Sequence, residues 1–138
     1  MRKNKKISPK DNRVTEITNP TKVNLTIGNT TVSAYLGNST AAKALYEQLP
    51  FKTQVSAGSV DFCGKFSGLP YRDDEVQGGW FAGDICYDPN GDWLAVFTGG
   101  DNAKPHLKEL FLGQIAHHED ITKVAQIKGT VELMISLA

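Results

Sequence analysis

Residues 23–36 have the sequence Val-Asn-Leu-Thr-Ile-Gly-Asn-Thr-Thr-Val-Ser-Ala-Tyr-Leu. Every second residue is apolar on both sides of the Gly28-Asn29 pair, which is a turn signal. Because side chains alternate between the two faces of a strand, this period of two puts the apolar residues on one face. The stretch therefore predicts an antiparallel hairpin with an inner face of Val23, Leu25, Ile27, Val32, Ala34 and Leu36.

The rest of the chain continues this strand-rich pattern. Period-two alternation or short apolar runs with turn residues beside them predict six further strands, near 51–55, 60–63, 84–87, 93–97, 110–115 and 131–137. Asn90-Gly91 between two apolar runs indicates another hairpin, and the unbroken run at 93–97 indicates a strand covered on both faces. Gly113, inside its strand, is typical of a bulge or of close backbone approach.

Two short helices are predicted between the strands. Thr40 is the expected N-cap of a helix over 41–49, whose apolar residues fall at helical spacing and which Pro50 cannot continue. A second helix is expected around Ile121 to Ala125, with Asp120 as its N-cap. Residues 67–79, rich in glycine, proline and acidic side chains, are expected to form a surface loop. These elements predict a mainly β protein, with turn spacing typical of a closed barrel or a sandwich.

Charge divides the 138-residue chain into two parts. Residues 1–22 hold seven Lys or Arg against two acidic residues, a charge of +5, so the remainder of this neutral chain carries −5. The first part lacks a periodic apolar face, which predicts a flexible basic N-terminal segment at 1–22 followed by one barrel domain at 23–138. Because the domain is acidic and the segment has no aromatic residue, nucleic-acid binding is not expected.

The sequence also bears on membranes and location. No stretch approaches the ~18 consecutive apolar residues of a transmembrane helix, so no membrane span is expected. The basic start is followed by Ile-Ser-Pro-Lys-Asp-Asn rather than by the apolar run of a secretory signal. A cytoplasmic location is the expectation, and export with a removed leader is the alternative.

The residues that could bind a metal or react as thiols are expected to have structural roles instead. His117 and His118 are adjacent and diverge from each other, so neither they nor His106 predict a metal site. Asp88 to Asp92 begins like a calcium loop but lacks the later ligands, which favours a hairpin turn. Cys63 and Cys86 are isolated in apolar strands, so reduced thiols are expected, although the two strands could neighbour each other. No cofactor is predicted, because nucleotide-binding and serine-hydrolase motifs are missing.

Several stretches together resemble the small bacterial cyclophilin-like proteins over about residues 23–137. The most specific are Leu49-Pro50-Phe51, Gly83-Asp84-Ile85 and Phe111-Leu112-Gly113-Gln114-Ile115. The resemblance implies a closed β-barrel of about eight strands with two short capping helices. This agrees with the elements expected from the residue patterns.

The resemblance also bears on catalysis, because cyclophilins proper are peptidyl-prolyl isomerases. Their catalytic arginine follows a Phe-His pair on a strand after the first helix, and the matching stretch here is 60–66, which holds Phe62 and Lys65 but no arginine. An ammonium group lacks the planar fork of a guanidinium. Lys104 and Glu109 stand near the positions where the enzymes carry a tryptophan and a histidine. Efficient isomerase activity is therefore not expected.

The leading hypothesis is a domain that binds a peptide or small molecule in a surface groove without efficient catalysis. The resemblance implies that this groove is formed by Phe62, Lys65, Tyr71, Phe97 and Glu109. One alternative is a prolyl isomerase of low activity that uses Lys65 or Arg72 in place of the arginine. Another is an interaction module whose groove is buried in a homo-oligomer. Trp80 and Trp93 are assigned to the core or to the rim rather than to the groove.

Overall fold

The computed structural model describes residues 4–6, 16–18, 20–66, 68–100 and 108–138. The described chain is mainly strand, with two α-helices and one short 3-10 helix. The strands are β1 (Asn4–Lys6), β2 (Glu16–Thr18), β3 (Thr21–Ile27), β4 (Thr30–Leu36), β5 (Phe51–Ala57), β6 (Asp61–Lys65), β7 (Val76–Gly78), β8 (Asp84–Asp88), β9 (Trp93–Phe97), β10 (Lys108–Ile115) and β11 (Thr130–Leu137). The helices are α1 (Thr40–Glu47) and α2 (His118–Ala125), and the 3-10 helix is Asp73–Glu75.

Eight of these strands form a closed antiparallel barrel. Their order is β4-β3-β11-β5-β6-β9-β8-β10, and β10 pairs again with β4 to complete the ring. Strand β7 pairs with the start of β10 and adds to the sheet outside the ring. The closed mainly β fold expected from the sequence is confirmed.

The hairpin at 23–36 forms as predicted. Strands β3 and β4 pair in antiparallel register, with Val23 opposite Ala34 and Leu25 opposite Val32. All six predicted inner residues are at most 4% exposed and belong to the main core. Because burial of apolar surface is the main favourable term in folding, this hairpin supplies one wall of the barrel interior.

Strand β10 closes the barrel at a glycine. The register of β10 against β8 shifts between Phe111 and Gly113, and Gly113 lies opposite Leu36 of β4. A Cβ atom at Gly113 would collide with the carbonyl oxygen of Tyr35. The expected bulge and close backbone approach are both confirmed at this residue.

The helices form near their expected places, but their first residues differ. The N-cap of α1 is Ser39, whose hydroxyl accepts a hydrogen bond from the Ala42 amide, so the expected cap at Thr40 was wrong by one residue. The backbone N–H and the hydroxyl of Thr40 instead donate to the carboxylate of Glu75. The N-cap of α2 is His117, without a side-chain cap, and Asp120 lies inside the first turn.

The predicted loop at 67–79 has more structure than expected. It contains the 3-10 helix and β7, and Leu69 is buried in the main core. Within the N-terminal segment 1–22, the short strands β1 and β2 pair with each other, and most of the other residues lie outside the described part. Neither described helix is long and apolar enough to cross a membrane.

Candidate functional site

In the paired strands β6 and β9, alternate side chains point into the barrel and out of it. Phe62 of β6 pairs with Val96 of β9, and both belong to the main core inside the barrel. Cys63 pairs with Ala95 one residue further along, so these two side chains face outward. Both faces of β9 are covered, as its apolar run predicted, because residues 94–97 are all buried.

A cavity of about 280 Å³ lies on this outer face. Its walls come from strands β6, β8, β9 and β10 and from residues beside them. The lining residues are Val60, Asp61, Cys63, Trp80, Asp88, Trp93, Ala95, Phe97 and Glu109. The chain contains two tryptophans, and both line this cavity.

One wall of the cavity is a pair of stacked aromatic rings. The rings of Trp80 and Phe97 are nearly parallel, 11° apart, with centroids separated by 4.3 Å. The indole Nε1 of Trp80 donates a hydrogen bond of 2.8 Å to the carbonyl oxygen of Gly99. Trp80 is 3% exposed and forms a second small core with Cys86, Ala95 and Phe97. Stacking, hydrogen bonding and burial therefore fix the orientation of this ring.

The other aromatic group, Trp93, stands at the open edge of the cavity. It is 39% exposed, and the Nζ of Lys65 lies 5.6 Å from the ring centroid. Trp93 follows the predicted hairpin turn, in which the Oδ1 of Asp88 accepts hydrogen bonds from the amides of Asn90 and Gly91. The turn places Asp88, the last residue of β8, opposite Trp93, the first residue of β9.

Three carboxylates line the same cavity, one from each of strands β6, β8 and β10. They belong to Asp61, Asp88 and Glu109, and Glu109 is only 6% exposed. Burial raises the pKa of Asp61 above its ordinary value, because an apolar surrounding disfavours the charged form. None of the described residues lining the cavity is lysine, arginine or histidine. The cavity therefore combines aromatic walls with negative charge.

The Cys63 thiol is held in its protonated form by this surrounding. Burial, together with the negative charges of Asp61, Glu109 and Asp88, raises its pKa to about 11. A reactive cysteine has a lowered pKa, so this residue is not suited to nucleophilic catalysis. Cys63 and Cys86 are both thiols, as expected. Strand β9 separates them, since each pairs with Ala95 from its own side, and two strand spacings of about 4.8 Å exceed the reach of a disulfide.

This environment predicts slow alkylation of Cys63. At about pH 8 we expect iodoacetamide to modify Cys63 roughly tenfold or more slowly than a free cysteine, because little thiolate is present and its greater nucleophilicity compensates only partly. The rate should still rise with pH between about 9 and 10, where an ordinary thiol with a pKa of about 8.5 levels off. Mass spectrometry of the peptide that contains Cys63 measures both rates. A plateau near pH 9 would contradict the high pKa.

The structure places the five residues of the predicted groove in different surroundings. Phe97 and Glu109 line the cavity. Lys65 lies at its edge, against Trp93. Phe62 points into the barrel interior and is 2% exposed, and Tyr71 is 40% exposed on the segment before the 3-10 helix; neither lines the cavity.

The two side chains considered as replacements for the catalytic arginine, Arg72 and Lys65, each contact another side chain. Arg72 donates from Nε and Nη2 to the carboxylate of Asp74, at 3.0 and 2.7 Å, and it does not line the cavity. Lys65 lies against Trp93. Lys104 lies outside the described residues.

Strand alternation alone could have indicated part of the observed lining. Asp61 and Cys63 share a face of β6, and Trp93, Ala95 and Phe97 share a face of β9. Trp80 gave no such signal, because it lies outside any strand and approaches Phe97 only in the folded chain. Among the described residues, no group of three or more His, Cys, Asp or Glu is placed to hold a metal ion.

Comparison with known proteins places the chain in a family. The solution structure of the hypothetical protein AF2241 from Archaeoglobus fulgidus superposes with a TM-score of 0.67 at 12% identity, over 86% of this chain and 95% of that one. The structure of McbB in complex with tryptophan superposes with a TM-score of 0.58 at 14% identity, over 83% of this chain and 44% of that one. No curated protein matches the sequence. The sequence profile of the Cyclophilin-like family matches residues 25–136, and the chain therefore belongs to the Cyclophilin-like family.

Proposed function

We propose that this cyclophilin-like domain binds a small molecule, or one or two side chains of a peptide, in the cavity on its outer face. The observation that carries the proposal is the gathering of both tryptophans and Phe97 around one cavity. Ligand sites are concave and are lined mainly by apolar and aromatic groups with a few polar ones. This cavity has that composition.

The size of the cavity limits the ligand. Its volume of about 280 Å³ falls just below the ~300 to 1,000 Å³ that is typical of small-molecule sites. A compact molecule or a single aromatic side chain fits such a space better than an extended peptide does. One structural neighbour, McbB, was solved in complex with tryptophan, which is a compact aromatic molecule.

Binding without efficient catalysis is the form of this function that the side chains favour. A prolyl isomerase must lower a barrier of about 18 to 20 kcal/mol to rotation about the amide bond. A guanidinium beside the proline does this by donating hydrogen bonds. No arginine occurs among the described residues that line the cavity. Arg72, the nearest candidate in the sequence, is paired with Asp74.

The test uses three probes that share a phenyl ring: phenethylamine, 2-phenylethanol and phenylacetate. We expect at least one to bind with a Kd of about 1 mM, since nine or ten non-hydrogen atoms at roughly 0.4 kcal/mol each give about 4 kcal/mol. Binding should change the tryptophan emission of the protein, because both indoles line the cavity. A fluorescence titration of the full chain measures it.

A variant that fills the cavity separates this site from any other. Ala95 is 5% exposed on the cavity floor, and Ala95→Leu adds three carbon atoms there. We expect it to weaken probe binding by about tenfold or more, since the added atoms occupy the ligand's space. Ala125→Leu makes the same change at the end of α2, outside the cavity, and should bind normally. Equal binding by all three proteins would contradict the proposed site.

A further inference from the structure

The charge of the cavity points to the chemical class of its ligand. Resting on the function proposed above, we infer that the ligand is a compact organic cation: an ammonium group attached to an apolar or aromatic body. The inference combines three features of the cavity, namely its carboxylates, its aromatic faces and the absence of basic groups among its described lining residues.

The carboxylates form the first part of the argument. Carboxylates that line one partly enclosed cavity repel an incoming anion. A neutral ligand would remove water from these carboxylates without supplying opposite charge, and removing water from a charged group is costly. An ammonium group would supply both opposite charge and hydrogen-bond donors. The cavity therefore discriminates in favour of cations.

Among the described residues, Asp61 is the cavity carboxylate for which no hydrogen-bond partner is found. It is half-buried, and burial is the cause that raises its pKa. The fully buried Asp84 provides a contrast, since its carboxylate accepts hydrogen bonds from the Phe81 amide at 2.9 Å and from Gln114 Nε2 at 3.0 Å. Asp84 serves the fold, whereas Asp61 lines the cavity, where it would contact a bound ligand.

The aromatic faces form the second part of the argument. Cations are attracted to the faces of aromatic rings, most strongly to that of tryptophan. The chain already uses this attraction, because the ammonium group of Lys65 lies 5.6 Å from the centroid of the Trp93 ring at the cavity edge. Stacked Trp80 and Phe97 offer an apolar wall to the body of the ligand.

The experiment compares the three phenyl probes by isothermal titration calorimetry on the full chain near neutral pH. They have similar sizes but charges of +1, 0 and −1, for phenethylamine, 2-phenylethanol and phenylacetate respectively. We expect phenethylamine to bind about tenfold or more tightly than 2-phenylethanol, with no detectable binding of phenylacetate. Raising the salt concentration should weaken only phenethylamine.

A matched pair of variants assigns the preference to the cavity. Asp61→Asn removes one negative charge at nearly constant shape, and we expect it to weaken phenethylamine about fivefold and to leave 2-phenylethanol within about twofold. Asp73→Asn makes the same change on the exposed 3-10 helix, outside the cavity, and should bind like the unmodified protein. Thermal unfolding confirms that both variants are folded.

The outcomes distinguish this inference from the function on which it rests. If 2-phenylethanol or phenylacetate binds as tightly as phenethylamine, and binding is lost in Ala95→Leu, the cavity is a binding site and the cation preference is wrong. If Asp61→Asn and Asp73→Asn weaken phenethylamine equally, the preference reflects net charge and the inference fails. If none of the probes binds, the proposed function fails, and the inference fails with it.

Discussion

Replacing Gly113 with alanine is expected to destabilise the barrel strongly. A Cβ atom at this position would collide with the carbonyl oxygen of Tyr35 and would lie 3.0 Å from the Cα of Leu36. Both contacts are with backbone, so no side-chain rotation can relieve them, and β10 would have to separate from β4 where the ring closes. We expect a loss of at least about 3 kcal/mol, which is a large part of the 5 to 15 kcal/mol typical of domains.

Chemical denaturation followed by circular dichroism measures this loss. Gly99→Ala is the matched control, because an added Cβ there would meet only Val60 Cγ1 at 3.9 Å, an ordinary contact. The control should change stability by less than about 1 kcal/mol. If Gly113→Ala were as stable as the control, strands β10 and β4 would not approach as closely as described, and the closure of the barrel would be in doubt.

Replacing Trp80 with alanine is expected to cost about 3 kcal/mol of stability and to abolish probe binding. The substitution removes a 3% exposed ring, its stacking on Phe97 and its hydrogen bond to Gly99. Large-to-small substitutions of buried aromatic residues cost about 3 to 5 kcal/mol, and the low end applies beside an existing cavity because water can enter. Denaturation and the phenethylamine titration measure the two effects.

Trp93→Ala separates the loss of stability from the loss of probe binding. Trp93 is 39% exposed, so its removal should cost less than about 1 kcal/mol of stability while still weakening phenethylamine severalfold. Trp80→Phe keeps an aromatic ring on Phe97 but loses the donor to Gly99, with an expected cost of about 1 kcal/mol. A Trp80→Ala protein as stable as Trp93→Ala would contradict the structural role of the stacked pair.

The barrel was predictable because local and global preferences agree along the chain. Residues 23–36 alternate strictly, so their pattern assigns one face to the interior, and the six expected residues are all buried there. Gly113 also gave its own signal, since a glycine inside an apolar strand is typical of close backbone approach. The residue patterns left a closed barrel and a sandwich open, and the family resemblance favoured the closed barrel.

The positions of the first helical residues were less predictable because two hydroxyl side chains stand together. Ser39 and Thr40 can both cap a helix, and local sequence does not separate them. Which of the two is the N-cap depends on Glu75, 35 residues away. Its carboxylate accepts hydrogen bonds from the backbone N–H and the hydroxyl of Thr40. Strand β7 was missed for a similar reason, since it consists of three residues and exists by pairing with β10.

The candidate site was only partly predictable, because the phase of a strand that is apolar on both faces cannot be read from its sequence. Residues 93–97 contain no polar side chain to mark the outer face. Phe62, which the resemblance placed in the groove, lies on the inner face, opposite Val96. Phe97 and Glu109 line the cavity, but Trp80 joins it only through tertiary contact.

The most direct test of ligand binding in the cavity follows the two tryptophan indole N–H signals by NMR during a phenethylamine titration. The chain has two tryptophans and both line the cavity, so each signal reports on it. We expect both signals to shift and to saturate with one Kd, and we expect these shifts to disappear in Ala95→Leu and to persist in Ala125→Leu. Unchanged indole signals while phenethylamine binds elsewhere, or shifts that remain in Ala95→Leu, would contradict the assignment of this cavity as the binding site.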